Sequence, residues 1–212
     1  MGIKSISMAI AASTIFSLPA HATIIDGMIT GGSAFGIGSF TILDETVPFT
    51  VGNNNFQTKN LYGFNENQNV NVTSEIQVDV GTNPQVGEIV ASHYIFFDPA
   101  NSTSVLGWVD FDSEIYGIAT SRGNLLASDN LQSNAVTYLN PGLRGLESVD
   151  SAWIDAGNAN RLRVDFTAST PGDYIRVFTK YSPTAAVPLP AAAPLLIGAI
   201  GALGFARRRR KS

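Results

Sequence analysis

The run Asp110-Phe111-Asp112-Ser113-Glu114 places a carboxylate at every second position. On a continuous strand alternate side chains share a face, so neighbouring carboxylates would stand roughly 6–7 Å apart. Two chemistries use such an array. Glycoside hydrolysis needs one carboxyl kept protonated as the acid and another charged as nucleophile or base. Calcium prefers about six to eight oxygen ligands, so Asp110, Asp112 and Glu114, with Asp98 or Asn101 nearby, make a candidate calcium site. No EF-hand loop or Gly-Asp repeat accompanies them, and a solvated acidic edge that discourages sheet-to-sheet association is the plainer reading.

The other reactive side chains are few. His93 is the one histidine after residue 22; it lies inside the apolar run Ile89 to Phe97, where a hydrogen-bonded structural histidine is the simpler expectation than a partner for Ser92. No Gly-x-Ser-x-Gly elbow is present, and Gly31-Gly32 and Gly36-x-Gly38 lack the Lys-Ser/Thr of a phosphate loop. The chain has no cysteine, which excludes thiol catalysis and Cys-ligated zinc. Trp108 and Trp153, with Tyr62, Tyr94, Tyr116 and Tyr138, would form a sugar-stacking platform if several were exposed together, and core packing if they were not. The expectation is a non-enzymatic protein with no assigned catalytic or cofactor-binding residue, calcium aside.

The elements that must position these residues read as strands. From Val70 to Val80 apolar and polar residues alternate strictly, the pattern of a half-buried strand. Further β-rich runs are Phe35 to Leu43, Ile89 to Phe97, Val105 to Ile118 with a break, Arg161 to Ala168 and Tyr174 to Tyr181. Turn chemistry separates them, as in Thr82-Asn83-Pro84, Asn140-Pro141-Gly142 and Pro171-Gly172-Asp173. Only Gly123 to Gln132 is a candidate short helix. Many short strands without a long amphipathic helix predict an all-β fold, an antiparallel β-sandwich or jelly roll over residues 23–181.

The two ends have another character. Lys4 is the single charge among the first 25 residues, an apolar stretch follows, and Ala20-His21-Ala22 is a small-x-small site, so residues 1–22 read as a signal peptide cut after Ala22 by signal peptidase on leaving the Sec translocon. Residues 182–186 are a short Pro- and Ala-bearing linker. Residues 187–212 begin with Val187-Pro188-Leu189-Pro190, continue without charge to Ala206, and end in Arg207, Arg208, Arg209, Arg210 and Lys211. Counting from Pro190, the apolar part is roughly 25 Å as helix, a short transmembrane span, and the terminal cations would stay cytoplasmic. All seventeen acidic residues and seven of the basic ones lie between, so that part carries a net charge of −10. Nucleic acid is thereby disfavoured as a partner.

This proline motif, short apolar helix and arginine block resemble a PEP-CTERM sorting signal of exported proteins in Gram-negative bacteria, and Val187-Pro188-Leu189-Pro190 is similar to its VPLP variant. The resemblance implies recognition and cleavage by an exosortase-like membrane enzyme, transient or permanent anchoring in the inner membrane, then delivery to the cell surface or extracellular matrix. The intervening domain is expected to be structural or adhesive. The alternatives are a carbohydrate-binding module for exopolysaccharide, with or without the assistance of calcium, and a small glycan hydrolase built on Asp110, Asp112 and Glu114.

Overall fold

The computed structural model describes residues 23–181, and the leader, linker and sorting-tail readings lie outside the described residues. The described chain is all-β and β-sandwich-like, with one six-residue α-helix, α1 (Arg122–Ala127), and two 3-10 turns. The first sheet has four antiparallel strands: β1 (Ile24–Gly31), β8 (Thr103–Phe111), β12 (Asn158–Ala168) and β11 (Ser151–Asp155), in that order. The larger sheet runs β2 (Phe40–Ile42), β4 (Leu61–Asn65), β7 (Ile89–Phe97), β13 (Asp173–Lys180), β9 (Ile115–Ala119) and β6 (Val80–Gly81), with β5 (Val70–Asn71) also on β7. A parallel pair, β3 (Phe49–Val51) and β10 (Val136–Tyr138), stands apart from both.

The two main sheets share one core. Ile29, Val105, Val109, Leu162, Val164 and Phe166 from the first meet Leu61, Ile95, Phe97, Ile118, Ile175 and Val177 from the second. The second sheet is buried on its other face too. There Phe64, Tyr94, Phe96, Tyr174 and Phe178 pack beneath Leu125 of α1, Leu131, and Val51 and Val136 of the β3–β10 pair. This double cover explains why β7 and β13 are buried along almost their whole length, whereas β8 and β12 alternate between inside and outside.

The strongest alternation in the sequence, Val70 to Val80, is not one strand. Only its ends pair, as β5 and β6. Between them Val72, Ile76 and Val78 face the second core while the opposite side is held by side chains: Asn83 Oδ1 accepts from Val78 N–H at 3.0 Å, and Asn83 Nδ2 donates to Glu75 at 2.7 Å. Period two here reports an extended segment with one packed face, without a neighbouring strand to complete a ladder. The break expected within Val105 to Ile118 falls at residues 112–114, between β8 and β9.

Candidate functional site

The strand break separates the three carboxylates. Asp110 remains on β8, opposite Asp26 and Arg161, and Arg161 grips both its oxygens through Nε at 2.6 Å and Nη2 at 2.7 Å. Asp112 lies past the strand end, where its Oδ1 accepts from Thr23 N–H at 3.0 Å and its own N–H donates to Thr23 O at 3.1 Å. Glu114 takes Lys180 Nζ at 2.5 Å, and Lys180 N–H donates to Glu114 O at 2.8 Å. Ser113 Oγ donates to Tyr181 O at 3.1 Å. The acidic run is thus divided between a cross-strand ion pair and a clasp that fastens both ends of the domain. Among the described residues no group of three His, Asp or Glu side chains is placed to hold one metal ion.

His93 and Ser92 point to opposite faces of β7. His93 is fully buried, with Nδ1 2.9 Å from Asn65 Oδ1 and Nε2 3.0 Å from Thr179 Oγ1. Since Asn65 Oδ1 can only accept, Nδ1 carries the proton and Nε2 accepts from the Thr179 hydroxyl. Burial lowers the imidazole to about 3, so it stays neutral. Ser92 Oγ instead donates to Glu66 Oε2 at 2.6 Å.

That Glu66 contact opens a buried polar centre beneath the helix. Arg176 of β13 donates to Glu66 through Nε at 2.6 Å and Nη2 at 2.9 Å, both side chains being fully enclosed. Tyr138 OH donates to Glu66 Oε1 at 2.7 Å, and Arg176 Nη1 donates to Leu125 O at 2.9 Å and Ser128 Oγ at 2.8 Å. Burial by itself would lower the guanidinium's pKa, but the Glu66 carboxylate more than offsets it and holds it above its usual value. The network ties the end of β4 to β7, β10, β13 and α1 around the fully enclosed Glu66–Arg176 pair. A lone arginine inside the apolar run Tyr174 to Tyr181 was the sequence signal for it.

Both tryptophans reach the outer face of the first sheet. The register places Met28, Trp108, Arg163 and Trp153 in one row across β1, β8, β12 and β11, all on the side away from the core. Trp153 is 40% exposed and Met28 51%. Two strand spacings separate the tryptophan backbones, roughly 9–10 Å. The Arg161 guanidinium lies 4.1 Å from the Trp108 ring centroid, and Arg163 Nε donates to Asp155 Oδ2 at 2.6 Å, an interaction that holds Asp155 below its ordinary pKa. Of the tyrosines named with them, Tyr62 and Tyr94 are core residues, and Tyr116 and Tyr138 are half-buried against the second core. This face therefore carries two aromatic rings among ion-paired arginine and aspartate groups.

Two hollows among the described residues stand out. One, of about 190 Å³, lies between residues 70–77 and the α1 end and is lined by apolar residues such as Ile76 and Leu131 as well as polar ones such as Asn71, Glu75 and Asn124. The other, of about 30 Å³, sits at the start of β13 against Glu147 and the 167–172 loop. No protein-family model, curated protein or solved structure matches this chain.

Proposed function

We propose that this is an exported cell-surface or extracellular-matrix protein whose central domain has a non-enzymatic, structural or adhesive role. In this reading residues 1–22 are a leader, residues 187–212 a transmembrane sorting signal processed by an exosortase-like enzyme, and the jelly-roll-like domain between them the cargo. The observation that carries it is the tail itself: Val187-Pro188-Leu189-Pro190, an uncharged apolar run, then Arg207 to Arg210. The charge pairing of the domain supports a passive cargo, since Asp110, Glu114 and Glu66 each meet a cation. Intact-mass measurement of the protein from its native host tests the proposal. A product starting at Thr23 and ending near Pro190 is expected; an unprocessed chain of 212 residues in the cytosol would overturn it.

A carbohydrate-binding role is the second reading, favoured by the placement of Trp108 and Trp153 on one exposed face. Aromatic rings stack on sugar rings, and the adjacent Arg and Asp groups can exchange hydrogen bonds with hydroxyls. Retention of the protein on insoluble exopolysaccharide, lost in Trp153→Ala, is the expected result. Equal retention of parent and variant would remove this face from consideration.

A further inference from the structure

At the end of β13 remote from Lys180, three carboxylates gather without a cation. Asp173 is 3% exposed and lines the 30 Å³ cavity, and its Oδ2 is buried with no hydrogen-bond partner. Asp150 anchors the opposing loop by accepting from Thr167 N–H through Oδ1 at 2.6 Å, which leaves its Oδ2 also buried and unpartnered. Glu147 lines the same cavity from the exposed turn before Asp150. Among the described residues no Lys or Arg is ion-paired with any of the three.

Buried carboxylate oxygens without donors are costly, and like charges nearby increase the cost. Burial, then the Asp150 and Glu147 charges, push the Asp173 carboxyl up to about 8. The backbone is committed to this arrangement. Gly172 adopts φ 91°, and a Cβ there would meet Phe97 O at 2.9 Å, so the loop reaches the Asp173 position only with glycine.

We infer that the cavity bounded by Asp173, Glu147 and the 167–172 loop, with Asp150 beside it, is a calcium site. Its volume suits a single ion or water. Calcium matches the donor set because it accepts carboxylates and main-chain carbonyls in irregular geometry, whereas magnesium demands near-ideal octahedra and keeps its waters. Because no three of the described carboxylates are placed to share one ion, Asp173 and Glu147, which line the cavity, supply the charge and the loop carbonyls complete the shell, with Asp150 outside it. The site is distinct from Asp110, Asp112 and Glu114, and it does not depend on how the chain is sorted.

The test is thermal unfolding of the full chain, purified in detergent and stripped with EDTA. For an affinity near ~10⁻⁴ M, about 10 mM calcium should raise Tm by roughly 5–10 °C. Sodium chloride of equal ionic strength should not. Asp173→Asn should abolish the response. Glu147→Gln, a surface change that leaves folding intact, should weaken the calcium midpoint by roughly tenfold. No shift in the parent, an equal shift with sodium, a retained response in Asp173→Asn, or an unchanged midpoint in Glu147→Gln would each overturn the assignment. If Asp173→Asn fails to fold, the Glu147→Gln midpoint decides.

Discussion

Replacing Glu66 by Gln keeps the side chain's size and removes its charge, so it isolates the electrostatic work of the buried centre. Glu66 accepts four hydrogen bonds, two from Arg176 and one each from Ser92 and Tyr138. The glutamine amide has one acceptor oxygen, and its NH₂ group would point at donors. The fully enclosed Arg176 guanidinium would retain Leu125 O, Ser128 Oγ, a 3.3 Å approach to Asp129 and at best the single amide oxygen, with no full negative charge inside the core to balance it. Breaking a buried ion pair from one side costs about 3–5 kcal/mol, a large share of the roughly 5–15 kcal/mol that holds a domain folded. With a urea slope of about 2 kcal/mol per molar, the midpoint should fall by roughly 1.5–2.5 M. Replacing both partners, Glu66→Leu with Arg176→Met, should cost much less than the sum of the two single changes, because no buried charge is left alone. Equilibrium unfolding by urea, followed by tryptophan fluorescence, measures the parent, Glu66→Gln, the two single changes and the double variant. A Glu66→Gln variant within about 1 kcal/mol of the parent, or additive single changes, would refute the reasoning.

The exposed Lys180–Glu114 pair offers a contrast, and Lys180→Ala should change stability by under about 1 kcal/mol in the same assay. Asp173 and His93 should give opposite pH slopes. The folded state keeps a proton on Asp173 between about 4 and about 8, so stability falls as pH rises through that window; His93 refuses a proton between about 6.5 and about 3, so stability falls as pH drops through that one. The two nearly cancel from pH 4 to 6.5 in metal-free buffer. Asp173→Asn should therefore expose the His93 slope, unfolding free energy rising by about 1.4 kcal/mol per pH unit up to pH 6.5, and the parent-minus-variant difference should decline steadily from pH 4 to 8. A pH-independent difference would contradict the assigned burial of Asp173. Gly172→Ala should destabilise by more than about 1 kcal/mol through its φ and the Phe97 carbonyl, visible as a lowered Tm. Neutralising Arg207 to Arg210 should impair membrane retention in cell fractionation, and unchanged partitioning would count against the sorting reading.

Much of the β architecture was readable because burial on one or both faces leaves a mark on residue type. Ile89 to Phe97 is β7 as read, and Arg161 to Ala168 and Tyr174 to Tyr181 lie within a few residues of β12 and β13. The pattern misled where packing and pairing part company. Val70 to Val80 alternates because one side touches the core, yet only its ends join a ladder. The strands β1, β3, β4, β10 and β11 escaped notice. Leu61–Asn65 is wholly buried and short, while Ile24–Gly31 and Ser151–Asp155 carry glycine or charge among their apolar residues. The three carboxylates looked like one array because two-residue spacing assumes an unbroken strand, and the turn at residues 112–114 assigned each a separate partner. Asp173 read as turn chemistry beside Pro171 and Gly172. Its electrostatic setting depends on Asp150 and Glu147, more than twenty residues away, which no local pattern connects.

The clasp formed by Asp112, Ser113 and Glu114 brings Thr23 and Tyr181 to one corner of the domain. If the chain is held by its far end, mechanical load enters at that corner through Lys180 and passes along β13. That strand is flanked on both sides, by β7 and β9, so pulling must slide it lengthwise against two neighbours instead of peeling it from a free margin. A tether attached there would hang from a strand laced along both of its edges.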